Sequence, residues 1–224
     1  MTGPTYAATA DPISLPGTPL ADAVIGLIRS VETPSVFHHS IRSYLFARLL
    51  AGRRGLAAGR DYDDDLLFAG CAMHDLGVAS DGPHRQRFEV EGADRAASFL
   101  IEHAVSEADA DQVWQAIALH TSPGIAERRG TLCALVREGV AIDFGGPGNA
   151  DHLDAVTDEQ AEVVHAAYPR LDMVRSLTDA IVAQAAKDPR NAPRHTVPGE
   201  LLRERESFGR TRLEHSCRES RWGS

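Results

Sequence analysis

Residues 61–77 read DYDDDLLFAGCAMHDLG, and this stretch decides how the rest of the chain is read. Three consecutive acids at 63–65 precede an unbroken apolar-plus-glycine run of eight residues, 66–73. Acidic side chains favour the electropositive first turn of a helix, so the run predicts a helix starting at the acids and ending near Gly77. Eight residues are far too few to span a bilayer. His74 lies at i+7 from Leu67 and i+3 from Cys71, which puts it on the buried side, and Asp75 follows it directly. A titratable pair at the end of an apolar helix is the first sign of chemistry.

The same helical spacing extends in both directions. Leu20, Val24, Ile25 and Ile28 share a face after Pro19, and Pro34 is expected to break that helix. Ile41, Leu45, Leu49 and Ala51 predict a second helix over 38–52, opened by His39 with Phe46 at i+7. Downstream, a helix is expected over 88–103 with Ala93, Ala96, Ala97, Leu100 and Ile101 inward. Another opens at Ser106, with Asp109 three residues on, and carries Val113, Ile117 and His120 to a stop near Pro123. A sixth covers 132–143 and is closed by Gly145-Gly146-Pro147. Two more cover 158–165 and 172–187, and 198–224 reads as a short helix with a loose end. Strand-like alternation is almost absent. The expectation is an all-α, single-domain helical bundle: an extended arm over 1–19 rich in proline, a helical domain over 20–190, and a C-terminal extension over 191–224 packed in part on it.

Composition narrows the function classes. A chain of 224 residues with 43% hydrophobic and 25% charged content has the material for one globular domain. A net charge of -9 argues against the phosphate backbone of nucleic acid as a partner. No apolar stretch suits a membrane, and the opening MTGPTYAATADPISLPG lacks the basic start and apolar core of a secretory signal. Cys71, Cys133 and Cys217 are odd in number and far apart, which fits a reducing cytoplasm better than a disulfide framework or a thiolate metal site. Ten histidines are the unusual feature.

On the predicted helices, His39, His74, Asp75, His120 and Asp143 all point inward, Asp143 through its i+3 and i+7 relation to Val140 and Val136. Buried carboxylates are costly unless paired or bound to a cation, and imidazoles and carboxylates meeting in one core are economically explained by a divalent ion. A nitrogen and oxygen donor set suits Zn²⁺, Fe²⁺ or Mn²⁺. Two histidines and two aspartates would leave positions open for water, the arrangement of a catalytic rather than a structural site.

These residues resemble the H…HD…D signature of the HD-domain metalloenzymes, with His39, the doublet His74-Asp75 and Asp143 in its places. The segments HSIR at 39–42, MHDLG at 73–77, RFEVEGADRAASFL at 87–100, AIALHT at 116–121 and REGVAIDFGG at 137–146 look like the cyanamide-hydratase-like branch, and the resemblance covers roughly residues 20–185. It implies a helical bundle holding one divalent metal, Zn²⁺ first and Fe²⁺ or Mn²⁺ as alternatives, through His39, His74, Asp75 and Asp143. It also implies hydration or hydrolysis of a small nitrogen-containing substrate by a metal-activated water. In cyanamide hydratase itself, water adds across a C≡N bond to give urea. Within that frame Asp75 orients the water and shuttles its proton, and His120 serves the substrate nitrogen. Arg42 supports an acidic ligand, with a plain surface arginine as its alternative, and Arg87 lines the pocket mouth or a subunit contact. Some members of the superfamily hold two metals through extra histidines, for which His84, His103 and His120 are the candidates here.

Two other readings stay open. One is a phosphohydrolase acting on a nucleotide or other phosphate monoester, with Arg85, Arg87, Arg128 and Arg129 as a local basic cluster. The other is a non-enzymatic ligand-binding helical module. The expected partner is a small molecule, with a homodimer compatible. His38 is expected to be exposed, Glu89 and Glu91 need be no more than surface charges, and His152, His165, His195 and His215 carry no assignment.

Overall fold

The computed structural model describes residues 13–79, 81–145 and 154–223. Residues 1–12 of the arm expected over 1–19, and the Gly146-Pro147 stop, lie outside the described residues. Ten α-helices follow one another among those described, with no strand and a single isolated bridge between Ala58 and Tyr62. They are α1 (Pro19–Val31), α2 (Pro34–Arg53), α3 (Asp64–Ala72), α4 (Phe88–Glu102), α5 (Glu107–Leu119), α6 (Thr131–Phe144), α7 (Asp158–Ala167), α8 (Met173–Ala185), α9 (Val197–Phe208) and α10 (Arg212–Arg218). The all-α expectation is met. Among the described residues no helix is long and apolar enough to cross a membrane.

Three boundaries differ from the sequence expectation. Pro34 does not merely end α1. It occupies the first turn of α2, with Thr33 as N-cap accepting from the Val36 amide, so α2 starts a turn earlier and His39 lies inside it. α3 stops at Ala72, where the Met73 amide closes on the Ala69 carbonyl, and His74 and Asp75 occupy the turn before a 3₁₀ segment at Leu76–Val78. The C-terminal stretch forms two helices, α9 and α10, each opened by a threonine cap. Beyond them Trp222 stacks on Phe46 and donates to the Ile142 carbonyl at 2.6 Å.

The acidic run does more than favour a helix dipole. Asp63 caps α3 by accepting from the Leu66 amide, Asp64 accepts from the Tyr44 hydroxyl at 3.0 Å, and Asp65 accepts from Thr18 at 2.9 Å. The last two of these bonds tie α3 to α2 and to the start of α1. The main core gathers Ile28, Ile41, Leu45, Phe46, Leu67, Phe68, Leu100, Ile117 and Val136, all essentially out of solvent. Each such side chain contributes roughly 1.5–3 kcal/mol, enough together to offset the cost of holding polar groups among them. α2 and α6 run close together because Gly139 has no side chain: a Cβ there would sit 2.4 Å from the Ser43 carbonyl oxygen. Gly77 plays the same part at the start of α4, where a Cβ would meet the Phe88 carbonyl oxygen at 1.9 Å. These two contacts bring α2, the α3 turn, α4 and α6 together around one point. α8 braces that point from outside through Met173, Val174, Leu177 and Ile181, which pack with Val36 and Phe88.

Candidate metal centre

Three donor atoms converge in the buried space between α2 and the α3 turn. His74 Nδ1 is 2.7 Å from the Cys71 carbonyl oxygen, a contact that only an N–H can make, so the ring presents a bare Nε2. His39 Nδ1 donates to Asp143 Oδ2 at 2.6 Å, so this ring presents Nε2 as well. The two Nε2 atoms are 3.2 Å apart. Asp75 Oδ2 lies 3.2 Å from one and 3.8 Å from the other, and has no hydrogen-bond partner among the described residues. All three side chains are buried.

Electron-rich atoms do not pack together in a dry core without a cation or proton among them. Separations of 3.2–3.8 Å are also those of donors about 2.0–2.2 Å from one divalent ion across a near-tetrahedral angle. The donor set therefore fits a divalent metal held by His39 Nε2, His74 Nε2 and Asp75 Oδ2.

Asp143, expected as a fourth ligand, stands behind His39 instead. Its Oδ1 accepts from Arg42 Nε and its Oδ2 from Arg42 Nη2, both at 2.7 Å. Arg170 Nη1 adds a contact at 3.3 Å to Oδ1 and donates to the Asp143 main-chain carbonyl at 2.6 Å. Burial works to raise the Asp143 pKa, but Arg42, His165 and His39 together hold it well below the ordinary carboxylate range. A carboxylate on the far nitrogen of a ligating histidine fixes its tautomer and orientation and raises its basicity. Arg42, fully buried, is a fork locked onto that carboxylate and not a surface charge.

The HD-domain family model matches residues 36–186, about two thirds of the chain and all of this site. The chain belongs to the HD-domain family. Among curated proteins none matches it. In this HD-domain protein the doublet is the turn residue pair His74-Asp75, and the match is to the HD domain as a whole.

Two further buried groups lie beside the doublet. His120 caps α5 and repeats the device of His74: its Nδ1 donates to the carbonyl three residues back, Ile117, at 2.6 Å. Its ring packs edge-on against His74, with centroids 4.9 Å apart, and against Phe88. Burial, followed by the neighbouring His74, lowers its pKa to about 4. Its Nε2 is therefore a free lone pair at neutral pH. Glu89 is buried as well, accepting from Arg87 at 2.7 Å and from Thr121 at 2.7 Å. Glu89 and Glu91 are thus not surface charges, and Arg87 is turned onto Glu89.

The remaining described histidines fall elsewhere, and His152 lies outside the described residues. His103 is exposed at the end of α4, bonded to the Phe99 carbonyl and packed on the Phe99 ring. His38 is half-buried and bonds the Pro169 carbonyl at 2.8 Å. His84 lies in the loop before α4, outside the convergent cluster. His165, left unassigned by the sequence, sits 3.8 Å from Asp143 and packs on Phe46 and Trp222. Arg170 was missed because it follows Pro169 in a non-helical stretch without periodicity. Glu89 was missed because an acid in a first turn reads as a dipole partner.

Proposed function

We propose that this HD-domain protein is a metal-dependent hydrolase or hydratase acting on a small nitrogen-containing molecule, in the manner of cyanamide hydration. The observation that carries the reading is the buried convergence of His39, His74 and Asp75, with one Asp75 oxygen left unpartnered. A bound divalent ion would acidify water and supply a nucleophile near neutral pH. His39 and His74 would hold the ion through tautomers set by Asp143 and by the Cys71 carbonyl. Asp75 would complete the donor set and orient water for attack. His120, neutral at working pH, accepts a proton through Nε2 and returns it to the nitrogen that gains one.

The charge around the site favours a neutral or N–H-bearing substrate over a phosphate ester. Arg42 and Arg170 are turned onto Asp143, Arg87 onto Glu89, Arg128 onto the Gly124 carbonyl and Arg129 onto Gln115. Of the basic cluster Arg85, Arg87, Arg128 and Arg129 that a phosphohydrolase would use, the last three already have partners within the protein.

Metal analysis of the purified protein, followed by incubation of the metal-loaded form with cyanamide and assay of urea, tests the proposal. Stoichiometric metal and urea formation above a His74→Ala control are expected. Phosphate release from a nucleoside phosphate panel without urea would transfer the assignment to the phosphohydrolase. A protein that binds no metal would end both.

A further inference from the structure

A basic recess lies on the outer side of α8 and takes no part in the metal centre. α8 turns Met173, Val174, Leu177 and Ile181 into the core, where they pack with Val36 and Phe88. Its exposed face carries Arg175 and Asp179. Beside that face, α8, α9 and α10 border a cavity of about 190 Å³ whose lining includes Arg175, Arg205, Arg210, Glu214, His215 and Arg218.

The recess has a fixed floor and free walls. Arg205 is half-buried and held at both prongs of its guanidinium, Nη1 donating to Asp179 at 2.5 Å and Nη2 to Glu214 at 3.1 Å. Glu214 is in turn the capping-box acid of α10, accepting from the Thr211 amide at 2.8 Å and from its hydroxyl at 3.0 Å. Both carboxylates at the recess are therefore already met. Gly209 closes α9 in a left-handed conformation, φ 71°, which lets the chain reverse there and brings Arg210 to the cavity. Arg175 has only a contact of 3.9 Å to Asp179. Arg210, His215 and Arg218 are exposed, and their side chains have no hydrogen-bond or ion-pair partner among the described residues.

Four guanidinium groups thus share this place with two carboxylates, Asp179 and Glu214, an excess of two positive charges on a chain whose net charge is -9. Elsewhere on the surface single arginines stand against single acids, as Arg60 does with Asp61 and Arg190 with Asp188. Like charges gathered without counter-ions repel one another, and the guanidinium fork matches the oxygens of an oxyanion.

We propose that this recess binds a phosphate group, free or carried as a monoester on a small molecule. The excess of two charges matches a phosphate dianion better than a singly charged carboxylate. The cavity is smaller than those that take drug-sized ligands, which suits a compact group. A polyanion such as nucleic acid would meet the negative charge of the rest of the chain. The free arginines are long and exposed, so they can close on an anion that Arg205 receives at the floor. The site stands on its own lining and does not depend on the metal reading.

Calorimetric titration of the metal-free full chain with inorganic phosphate, methyl phosphate and acetate tests it. Saturable binding of one molecule per chain, tighter than that of acetate, is expected for at least one of the two phosphates. Binding of inorganic phosphate alone marks a site for the free ion, and binding of methyl phosphate marks a site for an ester. Arg210→Ala and Arg218→Ala, both at exposed positions, should each weaken binding by about tenfold. Arg203→Ala, on the same helix as Arg205 but outside the recess and paired with Glu200, should leave it unchanged, as should His74→Ala. No saturable binding of either phosphate at millimolar concentration, equal affinity for acetate, unchanged affinity in either recess variant, an equal loss in Arg203→Ala, or loss of binding in His74→Ala would each overturn the assignment.

Discussion

Asp75 and Asp143 are the same residue type, equally buried, and separated only by the ring of His39, yet they are treated in opposite ways. Asp143 accepts from His39 and twice from Arg42, with Arg170 beside it, so its charge is fully met within the protein. Asp75 keeps an oxygen with no hydrogen bond, facing two imidazole nitrogens that are themselves acceptors. One carboxylate serves the fold and orients a ligand. The other is kept for a cation. Burial alone does not distinguish the two roles; the count of donors around each carboxylate does.

The largest effect is expected at Asp75. Removing an outer partner of a metal ligand typically costs 10–100-fold in metal affinity, so Asp75→Asn, which removes a ligand, should cost at least about 100-fold and abolish turnover. The metal-free protein should lose less stability than Asp143→Asn does, because Asp75 faces imidazoles and no guanidinium. Metal titration and denaturant unfolding in chelator check the two halves. A variant that binds metal normally, or that unfolds, would break the contrast.

At Asp143 the pattern should invert. Asp143→Asn leaves the guanidinium groups of Arg42 and Arg170 buried without their countercharge, and stability should fall by about 3–5 kcal/mol. Arg42→Lys keeps the charge but loses the two-pronged geometry, and should cost less, roughly 1–2 kcal/mol. Chemical unfolding without metal reads both. Equal losses in Asp75→Asn and Asp143→Asn would mean that the two carboxylates are not divided in this way.

Much of this was legible from the sequence, and the limits have physical causes. The bundle followed from helical spacing of apolar residues, and the inward direction of His39, His74 and Asp75 from their places beside Leu67, Cys71 and Phe46. The end of α3 was not legible. MHDLG continues an apolar run, and only the closure of Met73 on Ala69 and of His74 on Cys71 turns the doublet out of the helix into a turn. The separate fates of Asp75 and Asp143 were hidden for a related reason. They depend on Arg42 and Arg170 arriving from positions 101 residues upstream and 27 residues downstream of Asp143, pairings that no local pattern encodes.

His120 tests whether the charge on Asp75 is as uncompensated as its missing partner indicates. Its pKa is held at about 4, against an ordinary 6.5, chiefly by burial and then by His74, while Asp75 and Glu89 pull it upward. Between 6.5 and 4 the unfolded chain binds a proton that the folded chain refuses, so folding stability falls as pH drops through that window. The loss from this group is about 2 kcal/mol between pH 7 and pH 5 and levels off below its folded value. His39, also lowered, adds in the same direction. His74, raised, acts only above 6.5 and with the opposite sign, while Asp75 and Asp143, lowered, act below 3.8. Glu32, raised well above its ordinary value by burial and then by Asp75, works in the opposite direction over this range, so the test is a difference between proteins. Between pH 7 and pH 5 the change in unfolding free energy of the metal-free protein, read by denaturant, should be about 2 kcal/mol more favourable to the fold in His120→Asn than in wild type. In Asp75→Asn the upward pull disappears, and NMR titration of the His120 ring should place its pKa lower still. A ring that titrates unchanged in that variant would mean that the Asp75 charge is already balanced in the metal-free protein, and the distinction between the two carboxylates would then lie in geometry alone.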